Sequence, residues 1–452
     1  MLDDEFNGSG IADLPMYDNS TDRYVIDLGL QDQKLLAAAV TEKTQADLSR
    51  THYYAITRFD DDGSIDTTFG KTGKNGVVFG RFGDSSDSGC VSIATDGTAR
   101  SSIWMLGWSS KPKGSRKKLL IAKFNWDANE DPDERYLPQP PNSSLRVEPP
   151  VWRKKPETTP RLQDSEKTPQ LQNGQSNLLI HEKHLIATAN FEDLETPPYL
   201  YRKSFEGAPG FGKSDFIEIT HPDGKVTLTG LTISKGALLI CGYITTEATI
   251  PNTEATESGF IARYRTDGTR DTTFGKNGTL AFQIKDGYKR EDVCNTRAQQ
   301  LCVRSSGEIL VVGSRRNGLT VVPDGWAWQL TEEGKADDKF NAGKPQITKR
   351  DDGGVEWRAG LIEQDGGAIV FGTGLYRDLH LQRYDSTGKA DPLATPPNEI
   401  RYATQKMISF EENSKILLAA NTSGIDGYTG RVIRLLKNST NQLIQSESIH
   451  NP

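Results

Sequence analysis

Short apolar runs, each opened by a polar turn and usually closed by small residues, recur along the chain at 34–40, 103–107, 184–187, 237–242, 309–313, 368–372 and 415–420. Each is too short for a helix and is bounded by turn residues, the pattern of a strand covered on both faces. An alternating segment follows each run and ends in a polar hairpin, in the best copies an Asp-Gly turn, a strong signal for two antiparallel strands. One unit therefore predicts a meander of about four short strands.

A longer phrase is written twice almost letter for letter. It reads Ile56-Thr-Arg58-Phe59-Asp-Asp-Asp62-Gly63-Ser-Ile-Asp66-Thr-Thr-Phe69-Gly70, then Ile261-Ala-Arg263-Tyr264-Arg-Thr-Asp267-Gly268-Thr-Arg-Asp271-Thr-Thr-Phe274-Gly275. Worn copies follow Ile121-Ala-Lys-Phe124, Trp328-Gln-Leu330 and Leu381-Gln-Arg383-Tyr384. Self-similarity of this kind marks a repeat architecture, here about 65 residues per unit. A lone meander cannot bury both faces, whereas sheets stacked radially around an axis can, and they leave only short protected edges. The expected fold is thus all-β: a single seven-bladed β-propeller of four-stranded antiparallel blades spanning residues 1–452, with six or eight blades as alternatives.

The apolar strand followed by a phrase of the form aRlnxdGslDxxFGxxG is similar to the bacterial delta-60 repeat. The likeness is closest at 54–78 and 260–282, fainter at 307–347, and weak at 119–131, 199–212 and 379–393. It implies a β-propeller and leaves activity open, because that family is defined by its scaffold motif and a fold does not fix a function. Leu2-Asp3-Asp-Glu-Phe6-Asn-Gly8-Ser-Gly10 matches the end of a repeat, while the last unit, around Arg431-Val-Ile-Arg434, lacks that ending. The N-terminal segment is therefore expected to dock on the final blade and close the ring, which removes an open sheet edge.

The 43 Gly and 22 Pro residues suit many turns, and a net charge of −7 gives no nucleic-acid footprint. No apolar stretch approaches the ~20 residues of a membrane span. The opening Met1-Leu-Asp-Asp-Glu5 lacks the basic and apolar segments of a secretory signal. These features predict a monomer in the cytoplasm, with export by a non-classical route as the alternative. Cys90, Cys241, Cys294 and Cys302 are then expected as reduced thiols, although Cys294 and Cys302 are near enough in sequence to meet across a turn. From 132 to 176 the chain turns Pro-rich, with few apolar residues, and reads as an inserted arm; Tyr136 and Trp152 are its candidate anchors.

Catalytic and metal signatures are faint. Asp60, Asp62 and Asp66 resemble half of a calcium loop, but other copies replace these acids while the turn spacing persists, which favours hairpin chemistry and no cofactor. His181-Glu-Lys-His184 lacks zincin spacing, and no serine sits in a nucleophile elbow. Loops that repeat serve the scaffold, whereas loops that vary between units are free to bind. The connection after each apolar run varies: 41–52, the basic 109–118, the acidic 190–198 and 245–258, then 315–325, 374–378 and 421–430. In a four-stranded meander all seven connections lie on the face opposite the Asp-Gly hairpins. Candidate ligand-binding residues there are Trp108, Lys111, Lys113, Arg315, Arg316, Tyr376, Arg377 and Tyr428, which combine rings that stack with cations that bond polar groups. The expected function is non-catalytic recognition of a protein or glycan. The alternatives are a hydrolase or lyase at the channel mouth and a passive structural scaffold.

Overall fold

Each apolar run becomes the second strand of a four-stranded antiparallel sheet, and seven such sheets form. The computed structural model describes residues 2–17, 20, 22–44, 50–70, 76–83, 87–96, 100–110, 117–128, 132–137, 177–191, 196–205, 210–211, 214–247, 255–285, 294–317, 322–349, 354–363, 365–374, 379–391, 403–410, 415–424 and 427–436. Blades one to six occupy residues 22–80, 87–136, 178–218, 225–282, 294–348 and 355–391. Blade seven takes three strands from 403–436 and its fourth, Ile11–Asp13, from the other end of the chain. Each blade packs on the next, and blade seven packs on blade one. The only helix among the described residues is the 3-10 turn Asn341–Gly343, and no helix is long and apolar enough to cross a membrane.

The core is divided between the blades, which explains why the second strands are apolar on both faces. In Lys34–Thr44, Leu35, Ala37 and Ala39 pack toward blade seven, while Leu36, Ala38 and Val40 pack toward blade two. Ile309–Asn317 splits the same way, with Ile309 and Val311 toward blade four and Leu310 and Val312 toward blade six. Successive side chains of a strand point to opposite faces, so a run with no polar position is what a sheet between two neighbours requires.

The repeated phrase turns out to be a latch between blades. Arg58 donates Nε to Asp66 (2.7 Å), its guanidinium lies 4.6 Å over the Phe69 ring, and its Nη1 donates to the Trp126 carbonyl in the next blade (2.9 Å). Arg263 repeats this with Asp271, Phe274 and the Glu332 carbonyl. The residue after each Phe crosses the same gap: Gly70 donates its N–H to Asp127 O (2.7 Å) and Gly275 to Glu333 O (2.8 Å). The Phe274 ring then covers the neighbour's hairpin glycine. A Cβ on Gly334, whose φ is +77°, would meet Phe274 at 2.7 Å, so both the turn and the close approach demand glycine there. Phe69 and Phe274 are therefore anchors between blades rather than within one.

Ring closure follows the same chemistry. Asp3 forms an ion pair with Arg434 Nε (2.7 Å), Phe6 lies under the Arg434 guanidinium (4.7 Å), and Asn7 donates its N–H to Asp62 O of blade one (2.6 Å). The N-terminal Asp-x-x-Phe thus completes the last blade's latch, as its register in the sequence implies.

Two expectations change. Asp133–Tyr136, placed by its composition in the arm, is the outer strand of blade two, paired with 120–123. An outermost edge faces solvent, so a charged Asp-Glu-Arg-Tyr strand carries no apolar signal. The rest of the arm, 138–176 with Trp152, lies outside the described residues. Cys294 and Cys302 sit near opposite ends of one strand, Cys294–Val303, and all four cysteines are free.

Candidate functional site

In an antiparallel meander, the start of strand one, the end of strand two and the start of strand three share one end of the sheet. That end, opposite the Asp-Gly hairpins, carries a cluster of charge where blades four, five and six meet. Tyr243 and Glu257 come from blade four, Arg297, Gln299 and Arg316 from blade five, and Glu356 and Arg358 from blade six. The inner strands of blades five and six each bulge, between Ala298 and Gln300 and between Trp357 and Ala359. The extra residues are Gln299 and Arg358, and a bulge re-aims the side chain it inserts.

Arg297 pairs through Nε and Nη2 with both oxygens of Glu257, and its guanidinium lies 4.6 Å over the Tyr243 ring. Burial works against the charge of Arg297, but Tyr243 and Glu257 outweigh it and raise its pKa further. Glu356 accepts from Gln299 Nε2 (2.9 Å) and from Arg358 Nη2 (3.2 Å). Arg316 lies within electrostatic reach of Arg297, Glu356, Glu257 and Arg358, and its Nη2 is buried with no hydrogen-bond partner. Burial and the neighbouring Arg297 lower its pKa, against the pull of Glu356 and Glu257. An arginine stays charged even so, and the sector therefore holds a charged donor with an unfilled position.

A second cluster lies at the same end of blades one and two. His52 Nδ1 contacts Asp87 Oδ1 (2.9 Å) and Nε2 contacts Glu42 Oε2 (3.4 Å), while Arg50 pairs with Glu42 (3.0 Å). Burial alone would lower the imidazole's pKa, but the bonds to Asp87 and Glu42 more than offset it and raise it to about 9. The ring is an imidazolium at neutral pH and is no ready base. The buried thiols are equally unsuited to nucleophilic work, since burial raises Cys90 well above its ordinary range and Cys241 to about 12.

Of the residues singled out by sequence, Arg316 belongs to the charged cluster. Arg315, one position along, faces the other side of the sheet, is fully buried and donates to Asp324 and to Ile284 O. Strand alternation separates the pair, so Arg315 is structural. Trp108 is 3 % exposed, packed over Gly89 with Lys117 Nζ 5.0 Å from its ring, and offers no open face for stacking. Lys111, Lys113, Tyr376 and Arg377 lie outside the described residues, and Tyr428 is placed only by its strand, Gly427–Leu436. Asp60 and Asp66 share Lys34 Nζ (2.9 and 2.7 Å), Asp66 also binds Arg58, and Asp62 accepts from Ser64 N (2.9 Å). Burial would raise the Asp66 carboxyl, yet Lys34, Thr68 and Arg58 hold it well below the usual range. These acids serve their hairpin and the latch. Among the described residues no group of three or more His, Cys, Asp or Glu side chains is placed to hold a metal ion.

Sequence reasoning placed Glu257 in the acidic connection 245–258 but missed Arg297, Glu356 and Arg358. Their signal was a charge near the loop end of a strand, immediately beside a connection that varies between units.

Residues 252–274, a stretch that includes the third strand and hairpin of blade four, match a β-propeller family described as a domain of unknown function, DUF5122. No curated protein sequence matches the chain. Similar solved structures include the β-propeller domain of the Trilobed protease from Pyrococcus furiosus (10 % identity, TM-score 0.44, 93 % of this chain and 97 % of that one). Polysaccharide lyase Uly1 is similar over 93 % of this chain and 91 % of its own (9 % identity, TM-score 0.49). The WD40 domain of Toxoplasma gondii coronin is similar over 95 % and 90 % (9 % identity, TM-score 0.45). The blade count comes from this chain's own seven four-stranded sheets, which make it a seven-bladed β-propeller.

Proposed function

We propose that this chain is a recognition module of the delta-60 kind, which engages a protein or glycan partner through the face of its variable loops. The observation that carries this reading is the contrast between the two ends of the blades. At the hairpin end, latch residues recur in register, and their polar groups engage one another and the neighbouring blade. At the other end the charged side chains do not recur, and Arg316 keeps a buried donor unfilled. A scaffold alone gives no reason for that difference. The enzyme reading lacks comparable support, because His52 is held as a cation and the buried thiols are raised. Immobilised protein should retain a partner in a glycan array or pull-down. Arg358→Gln, at the loop end, should lose that partner, while Lys235→Ala, at the hairpin end, should keep it. The opposite pattern would move the binding surface to the other face.

A further inference from the structure

We infer that the sector between blades five and six is a subsite for a single carboxylate carried on a hydroxylated ring, an acidic sugar. The inference rests on the recognition reading above and names its ligand class. Among the described residues three guanidinium groups, Arg297, Arg316 and Arg358, meet two carboxylates, Glu257 and Glu356, which gives these five side chains one net positive charge. The pairs are already assigned: Arg297 is matched bidentately by Glu257, and Glu356 is shared by Gln299 and Arg358. Arg316 is left over, with Nη2 buried and unbonded. A buried charged donor without a partner is destabilising, and an incoming acceptor recovers the missing bond.

The blade scaffold does not require an arginine at that place. Arg316 pairs in register with Asn295, and the same register position holds Glu42 in blade one, Ser110 in blade two and Thr245 in blade four. A residue that varies this widely between superimposable blades is not part of the repeated latch. Its environment also selects the ligand. Guanidinium donors fit the planar oxygens of a carboxylate. A net charge of one matches a monoanion, and the two glutamates oppose a dianion such as phosphate. The same glutamate oxygens are acceptors beside the donor, which suits ring hydroxyls next to the acid. An acidic sugar presents both groups together.

The test is calorimetric titration of the full chain with glucuronate oligomers, glucose oligomers of equal length, and inorganic phosphate. Glucuronate oligomers should bind the parent protein, glucose oligomers should bind at least tenfold more weakly, and phosphate should not compete. Arg316→Gln should cost at least tenfold in affinity for the acidic oligomer, about 1.4 kcal/mol, and Arg316→Lys should cost less. Thermal unfolding separates a binding role from a structural one: Arg316→Gln should melt no lower than the parent, because it removes a buried unmade donor. Equal binding of the neutral oligomer, unchanged affinity in Arg316→Gln, preference for phosphate, or a lowered melting temperature would each overturn the subsite. Absence of acidic-oligomer binding while the pull-down still retains a partner at the loop end overturns the subsite alone; loss of both overturns the recognition reading as well.

Discussion

Removal of residues 1–14 is expected to bring the ring close to unfolding, because these residues complete a blade they do not follow in sequence. Phe6 is 1 % exposed and packs between Arg434 and Gly63 of blade one; losing such a ring costs about 3–5 kcal/mol. Arg434 is equally buried and would lose Asp3, keeping only Asp61; breaking a buried pair from one side costs another 3–5 kcal/mol or so. The two effects share Arg434 and will not add fully, so roughly 6–8 kcal/mol is the working figure. A whole domain commonly has only about 5–15 kcal/mol of stability. The deletion also removes the pairing of Ile11–Asp13 with 431–433 and leaves Gly427–Leu436 as an open edge, a template for a second chain. Urea unfolding followed by tryptophan fluorescence, with light scattering on the folded fraction, should show a lowered midpoint and new oligomers. A synthetic peptide of residues 1–14 added in trans should restore the monomer and the midpoint, and the same peptide carrying Phe6→Ala should not. An unchanged midpoint in a truncated protein that stays monomeric would refute ring closure by this latch.

Other outcomes test the remaining parts of the structure. Phe69→Ala and Phe274→Ala should each lower stability by about 3–5 kcal/mol in urea unfolding, since both rings are buried between blades, and midpoints like the parent's would make them ornamental. His52, raised to about 9 by Asp87 and Glu42 after burial has opposed it, stabilises the fold fully below its unfolded value near 6.5. That contribution is lost as pH rises through about 9, and partial exposure limits it to about 1–2 kcal/mol. A pH series of melts should therefore slope downward between those values, and His52→Gln should flatten the slope. Reversal of Lys111, Lys113 and Lys117 to Glu should slow association with the partner at low salt and leave folding intact; an on-rate that ignores both the charges and the salt would show that this loop faces away from the ligand.

The legible parts of the fold were those in which one residue position must satisfy the same physical demand seven times. Two-faced burial wrote the apolar runs, and the latch wrote Arg, Asp and Phe into fixed spacing, so that even Asp3 and Phe6 betrayed their blade from the far end of the chain. The outer strand Asp133–Tyr136 was illegible because three of its four residues are charged and leave no apolar pattern. The site was legible only as a face. Arg315 and Arg316 look equivalent in sequence, yet strand alternation buries the first on Asp324 and leaves the second on the other side of the sheet, where its Nη2 has no partner. Arg358 was harder still, since it is the extra residue of a bulge in the inner strand, which is invisible as periodicity, and it pairs there with Glu356.

That division between faces has a consequence for how the molecule tolerates change. The apolar clusters lie between successive blades, and the latch bonds cross the same gaps, so stability is close to a sum of nearest-neighbour terms. A substitution at the loop end of blade five alters at most its two interfaces, and the hairpin-end latch still holds both. Charge can therefore be placed at the mouth in combinations that a single shared core would reject. The His52 cluster and the Arg316 cluster are two such combinations on one scaffold. The first pairs its cations with its carboxylates and ties His52 of blade one to Asp87 of blade two. The second keeps one donor in reserve, and an unmade bond is sustained only where the latch elsewhere supplies the stability that it forgoes.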